Sequence, residues 1–230
     1  MLPAPGSGYL YSLNPPAWSL ALEAVVNSIY AVLHGRIAQV TGLNTMAVST
    51  AIIVHDASLA GNSNLGADWA NFGTGLARAV YSFTAGLLLF PVIDRLRSLR
   101  STSWLAYTLP LLLLALLGYD PVDPVSRDLA CILFGFPIIV LVGALIEPPA
   151  PKVFTVLGDI SYALYCIHFP LLMVGRAVLQ RLGWLDGGGS ALIVTILAAA
   201  AVIHACFDVP MRRWLTHRLV VTAVPLQRSN

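Results

Sequence analysis

Charge is scarce in this sequence of 230 residues: only 10% are Asp, Glu, Lys or Arg, 57% are hydrophobic, and the mean hydropathy is +0.78. Soluble domains average about 25% charged residues, so composition alone excludes a soluble globular protein and indicates a polytopic membrane protein. The formal net charge of +2 is too small, and the basic residues too scattered, for a nucleic-acid partner. Cysteine is scarce too. Cys131, Cys166 and Cys206 lie inside apolar runs, where they act as small hydrophobes, so no disulfide framework is implied and the redox compartment is not legible. Residues 1–17 have no basic n-region and no continuous apolar h-region, which excludes a cleaved secretory signal. Missing as well are a nucleophile elbow, a phosphate-binding loop and any paired metal-ligand spacing, so no metal is expected.

What the sequence does have is apolar runs of spanning length, roughly 20 residues each. Punctuation by polar residues, proline and glycine separates seven, at about 18–34, 44–61, 73–93, 103–118, 127–146, 158–181 and 190–209. This predicts an all-α fold, a bundle of about seven transmembrane helices. His34-Gly35-Arg36 ends the first, Asp94 to Arg100 the third, and Glu147-Pro148-Pro149-Ala150-Pro151-Lys152 forms a stiff connector after the fifth. The leucine-rich fourth run should face lipid. Asp208-Val209-Pro210 closes the seventh, leaving 210–230 as a tail.

Arginines in short loops favour the cytoplasmic side. Arg95, Arg97 and Arg100 share one loop, and Arg212, Arg213 and Arg218 share the tail. Four runs separate these two groups, so both can be cytoplasmic while the acidic 119–126 loop lies outside. Counting back through three runs puts Asn14-Pro15-Pro16 outside. An odd number of upstream helices would deliver the chain there.

Ionisable groups within a bilayer cost about 2.5–3.5 kcal/mol on insertion scales, so each raises a functional question. Glu23 is the first, more than a turn below Trp18, whose ring suits the interface; it either serves a site or pairs with an arginine or hydroxyl in the bundle. His55 and Asp56 are adjacent on one helix, which predicts that they do not face each other as an acid–base dyad. Ser161, Tyr165 and His168, at spacings of four and three, form a polar stripe above the helix-breaking Pro170. His168 can act as base, donor or plain hydrogen-bond partner. Asp159, near the start of that run, can serve the helix N-terminus through the dipole. His204 and Asp208 share a face four apart, with Arg212 and Arg213 beyond, a pattern that a structural ion pair also explains.

Three of these stretches together resemble the acyltransferase-3 family of integral-membrane O-acyltransferases. They are Pro16-Ala17-Trp18-Ser19-Leu20-Ala21-Leu22-Glu23, then Leu157-Gly158-Asp159-Ile160-Ser161-Tyr162-Ala163-Leu164-Tyr165-Cys166-Ile167-His168-Phe169-Pro170, and Phe207-Asp208-Val209-Pro210-Met211-Arg212-Arg213-Trp214. The middle stretch is the most specific. The third departs from the pattern, since the family usually has glutamate where Asp208 stands. Arg78 with Phe83 and Gly86 resembles the family's arginine-led helix.

The resemblance covers the later part of the family pattern; the family's first helix, with its arginine and its basic histidine, has no counterpart in residues 1–230. Residues 1–230 then read as a partial acyltransferase domain, either a carboxyl-terminal portion or a shortened member, and the isolated chain should self-associate in detergent. The resemblance implies transfer of an acyl group, commonly acetyl, from acyl-CoA as donor substrate to a hydroxyl of a sugar or other cell-envelope acceptor. It also implies a lipid-bilayer location in a bacterial inner membrane and no bound cofactor, while the arginine distribution puts the N-terminus of residues 1–230 outside and the C-terminus on the cytoplasmic side. Glu23 and His168 would be catalytic; Trp18, Ser19, Arg78, Ser161 and Tyr165 would line the substrate; and Asp159, His204, Asp208 and Arg212 would be structural polar residues. The rival reading is a non-catalytic polar-lined bundle, transporter-like or scaffolding.

Overall fold

The computed structural model describes residues 10–11, 14–33, 39–119, 123–184 and 188–223. The expected stop at His34-Gly35-Arg36, the middle of the acidic loop after Tyr119 and the Asp186-Gly187 turn lie outside the described residues. The chain forms two compact units, Met1–Pro151 and Lys152–Asn230.

In the first unit, the turn over Pro15 and Pro16 leads into α1, Ala17–Leu33, with the Ala17 N–H bonded to the Asn14 carbonyl at 2.9 Å. Leu22 and Val26, four apart, are its buried positions beyond the first turn. Next come α2, Gln39–Ala60, and α3, Phe72–Arg95, which is entered through a 3-10 turn at Trp69–Asn71. These two helices make the most extensive packing in the unit, with α1 also on α3. Ala77, Tyr81 and Ala85 recur every four residues and so present one stripe of α3; with Ile53 of α2 they form the buried core, covered by Met46, Leu129, Ile132 and Leu133.

After α3, a short 3-10 turn at Trp104–Tyr107 begins α4, Thr108–Gly118. Leu111, Leu112, Leu114 and Leu117 of α4 are exposed, as a lipid-facing helix requires. Asp123 caps α5, Pro124–Ala130, by accepting the Ser126 N–H at 3.1 Å. Hydrogen bonds from Ser126 hold the Asp123 carboxyl below the usual carboxylate range. A π turn at Cys131–Gly135 then joins α5 to α6, Phe136–Leu145. Its cause is legible: Pro137 has no N–H to give the Leu133 carbonyl four residues back. The Tyr81 hydroxyl donates to that carbonyl instead, at 2.7 Å. A parallel two-residue pairing of β1, Ser101–Thr102, with β2, Ile146–Glu147, brings the exits of α3 and α6 to one end of the unit, as alternating spans require.

The second unit is built of helices. Its first helix, α7, runs Pro151–Arg181, so Pro151 of the expected connector is already helical, suited to the first turn where its missing N–H costs nothing. At the far end Gly183 takes φ +70, and the Trp184 N–H returns to the Leu179 carbonyl at 2.9 Å, a left-handed glycine cap. The next helix is α8, Gly189–Ile203, followed without a break by a π turn at His204–Asp208 and by α9, Val209–Ala223. This corrects the expected stop at Pro210. The π turn loosens the ladder just before the proline, and the helix continues through what was read as the start of the tail.

All seven expected helical regions form, but the expected count of seven spans does not hold. Among the described residues, four regions are long and apolar enough to cross a membrane: Trp69–Arg95, Pro124–Leu145, Pro151–Arg181 and Gly189–Arg218. Ala17–Leu33 and Trp104–Gly118 are apolar but shorter. Spacing could not reveal this, because the punctuation that separates runs does not measure them. In α2, Thr41, Asn44, Thr45, Ser49, Thr50, His55 and Asp56 dilute an otherwise spanning length of 22 residues.

Candidate functional site

The first unit holds a cavity of about 410 Å³ between α1 and α3, lined by Trp18, Ser19 and Glu23 on one side and by Arg78, Ser82 and Phe83 on the other. The sequence-predicted residues Trp18, Ser19, Glu23 and Arg78 therefore come together. Each is held by a different device.

Trp18 is seated by two glycines. A Cβ on Gly66 would stand 2.6 Å from the Gly75 Cα and 2.7 Å from the Trp18 ring, and one on Gly75 would stand 2.7 Å from the Gly66 Cα. Only glycine permits this approach of the 61–71 loop to α3, and at Gly66 the backbone φ of +123 demands it as well. The Arg78 guanidinium lies 5.8 Å from the Trp18 ring centroid, within cation–π range. Its Nη1 donates to the Ser63 carbonyl at 2.9 Å and to the Leu65 carbonyl at 3.0 Å. Two backbone acceptors and an aromatic face thus fix the charge, while Nε and Nη2 remain as further donors.

Ser63 in turn donates its hydroxyl to Asp128 on α5, and Arg127 pairs with the same carboxylate at 2.6 Å. Within the loop the Asn71 side chain accepts the N–H groups of Gly66 at 2.8 Å and Asp68 at 3.2 Å. Sequence reasoning named Arg78 but missed the Ser63, Leu65, Gly66, Gly75 and Asp128 frame around it. The one available signal was a glycine on each of two segments flanking Trp69, with no spacing to link them.

Glu23 occupies the same cavity as Arg78, yet among the described residues its carboxylate makes no ion pair or hydrogen bond. The alternative that Glu23 is a structural partner of an arginine is not what the described residues form. Ser19 sits one turn earlier, its hydroxyl donating to the Pro16 carbonyl at 3.3 Å.

His55 and Asp56 correct an expectation. Their side chains do meet, with His55 Nδ1 at 3.0 Å from Asp56 Oδ1, because exposed rotamers of adjacent residues can curl around the helix. Thr74 of α3 donates to the other Asp56 oxygen at 2.5 Å, tying α2 to α3.

In the second unit, His168 Nδ1 lies 2.8 Å from the Tyr165 carbonyl and 3.2 Å from that of Leu164. A carbonyl only accepts, so the proton on that ring nitrogen is fixed and Nε2 is left for chemistry. The Tyr165 and His168 rings are 5.6 Å apart between centroids, so this part of the polar stripe is real. Ser161 instead turns its hydroxyl to the Gly158 carbonyl at 2.7 Å. Asp159 cannot serve the helix start as expected: α7 begins eight residues earlier at Pro151, and Asp159 is exposed on its flank.

His204, Asp208 and Arg212 form a ladder around the π turn. Asp208 accepts from His204 Nδ1 at 3.1 Å and from Arg212 Nε at 2.8 Å, and the Arg212 guanidinium lies 5.9 Å from the Tyr162 ring centroid. Among the described residues no group of three or more His, Cys, Asp or Glu side chains could hold a metal ion.

Compared with known families, residues 2–207 match the model of the acyltransferase-3 family, described as an acyltransferase domain. No curated protein and no solved structure matches the chain.

Proposed function

Since the chain belongs to the acyltransferase-3 family, a membrane acyltransferase family, we propose that it moves an acyl group from a CoA thioester to a hydroxyl of a sugar or other cell-envelope acceptor, in the cavity that Glu23 and Arg78 share. The observation that carries this reading is an acid and a fixed guanidinium lining one cavity without pairing to each other. A carboxylate so placed can take the proton of an acceptor hydroxyl. The guanidinium, held by the Ser63 and Leu65 carbonyls, has donors left for the oxyanion that forms when that oxygen adds to the thioester carbonyl. The new C–O bond then forms the ester, the C–S bond breaks, and the proton passes from Glu23 to the departing thiolate.

For the second unit, His168, with Nε2 available, is proposed as a proton relay or hydrogen-bond donor, and Ser161 and Tyr165 as acceptor-lining residues. Acetyl is the acyl group this reading prefers. The Arg95 to Arg100 loop is taken as cytoplasmic and the acceptor side as outer, which puts donor and acceptor on opposite faces of a bacterial inner membrane.

The test uses membranes of a host expressing the full chain, supplied with [14C]acetyl-CoA. Formation of base-labile label in the envelope fraction, with one thiol released per ester, supports the reading. Absence of both, with the protein present in the membrane, favours the rival of a non-catalytic polar bundle.

A further inference from the structure

The second helix poses a question that the chamber of Glu23 and Arg78 does not answer. α2 has the length of a span but not its hydropathy, and Thr41, Asn44, Thr45 and Ser49, which dilute it, all line one open groove of about 450 Å³. The other wall is α3, through Gly73, Leu76, Ala77 and Val80. No lining residue is shared with the Glu23 chamber, so the groove lies on a different flank.

Two polar side chains in it lack a hydrogen bond among the described residues. Ser49 is 5% exposed and stands midway along the 22 residues of α2, and its hydroxyl meets no partner; the carboxamide of exposed Asn44 meets none either. Elsewhere on α2 the helix satisfies its own hydroxyls. Thr45 donates to the Thr41 carbonyl at 2.8 Å and Thr50 to the Met46 carbonyl at 2.9 Å. Lipid cannot supply what Ser49 and Asn44 lack, because acyl tails at mid-helix depth carry no donor or acceptor. A protein segment must cover them.

The pattern along α2 says which segment. Thr41, Thr45, Val48 and Ile52 follow one another at steps of four, three and four, the seam of a two-helix contact, with Asn44 and Ser49 flanking it. Val48 is 61% exposed, so the seam is open. A hydroxyl and a carboxamide each donate and accept, which makes this stripe complementary to itself, whereas a wholly apolar helix such as α6 offers it nothing. Two copies inserted in the same sense are related by an axis along the membrane normal, which sets each of these residues against its own counterpart at matching depth. We propose that α2 is the contact helix of a homodimer, its groove on α3 covered by α2 of a second copy. The residues that lower the hydropathy of α2 are then the ones hidden from lipid. This assembly stands independently of the acyl-transfer reading.

The experiment cross-links the full chain in membranes with copper phenanthroline, in a background carrying Cys131→Ala, Cys166→Ala and Cys206→Ala. Val48→Cys, on the seam, should give a product of two chains, while Leu111→Cys, on the exposed face of α4, should remain at one. Dilution of fluorescently labelled chains in detergent then reads the dimer–monomer equilibrium. Asn44→Leu should weaken the dimer about fivefold, the loss of one interhelical hydrogen-bonded pair, and Asn44→Gln should recover most of that. At Gly73 a Cβ would meet nothing within 4 Å, so a side chain there enters the groove without disturbing the monomer. Gly73→Leu should therefore weaken the dimer about tenfold with helix content unchanged, and Gly73→Ala should stay within about threefold of wild type. Wild-type self-affinity in Asn44→Leu or Gly73→Leu overturns the proposal, as does cross-linking of Val48→Cys no greater than that of Leu111→Cys. A Val48→Cys product joined to a protein of another mass also overturns it, and would assign the groove to a different membrane protein.

Discussion

Replacing Arg78 by lysine tests whether the 61–71 loop is held to α3 by the guanidinium. In the native chain one guanidinium nitrogen bridges the Ser63 and Leu65 carbonyls at 2.9 and 3.0 Å, and the group lies against Trp18. A lysine ammonium, on its single stem, reaches at most one of those carbonyls and has no plane to lay on the indole. Loss of one hydrogen bond to a charged donor costs about 1.5–3 kcal/mol, and the cation–π contact adds about 0.5–1 kcal/mol at a partly exposed site. Arg78 is half-buried, and water replaces part of the loss, so about 2 kcal/mol is expected. Because the charge is retained, the effect should be local. Hydrogen exchange reads it directly: the Gly66 and Asp68 amides, which both bond the Asn71 side chain, should exchange about 30-fold faster in Arg78→Lys. Amides around Tyr81 in the core should not change. Exchange at Gly66 within twofold of wild type, or acceleration spread evenly over the unit, would refute the proposed anchoring.

Two further substitutions address the frame. Tyr81→Phe removes the donor that the Leu133 carbonyl has in place of the missing Pro137 N–H, and should cost about 1–3 kcal/mol in thermal or denaturant unfolding in detergent; a loss under about 0.5 kcal/mol would show that the carbonyl finds another partner. Gly75→Ala places a methyl 2.7 Å from the Gly66 Cα and 3.1 Å from the Trp18 ring, so the loop must lift, and limited proteolysis should cut within residues 61–71 at a rate the wild type does not show.

Much of the helix plan was legible because apolar length and proline or glycine punctuation are local signals. The failures were those of local reading. Pro210 looked like a stop, but a π turn at His204–Asp208 carries the helix past it. Asp159 looked like a helix start because Gly158 precedes it, whereas Pro151 begins the helix. The count of seven spans was not reached because α2 has the length but is diluted by hydroxyls and amides, while α4, and α1 over its described residues, have the apolarity but not the length. At the site, the family-like stretch Trp18 to Glu23 and Arg78 were legible as chemistry. That they share a cavity was not, since 55 residues separate Glu23 from Arg78 and no periodicity links them. The glycine seat under Trp18 and the carbonyl clamp on Arg78 are backbone features, invisible to side-chain pattern.

The central claim is that Glu23, unpaired beside Arg78, is the group that activates the acceptor. Its most direct test is the initial rate of [14C]acetyl transfer to the envelope fraction by Glu23→Gln, set against wild type at equal protein in the same membranes. The amide keeps the shape of the side chain and removes the base, so the rate should fall by about 100-fold or more, within the range general-base catalysis supplies, with unfolding temperature unchanged. A Glu23→Gln rate within twofold of wild type would contradict it.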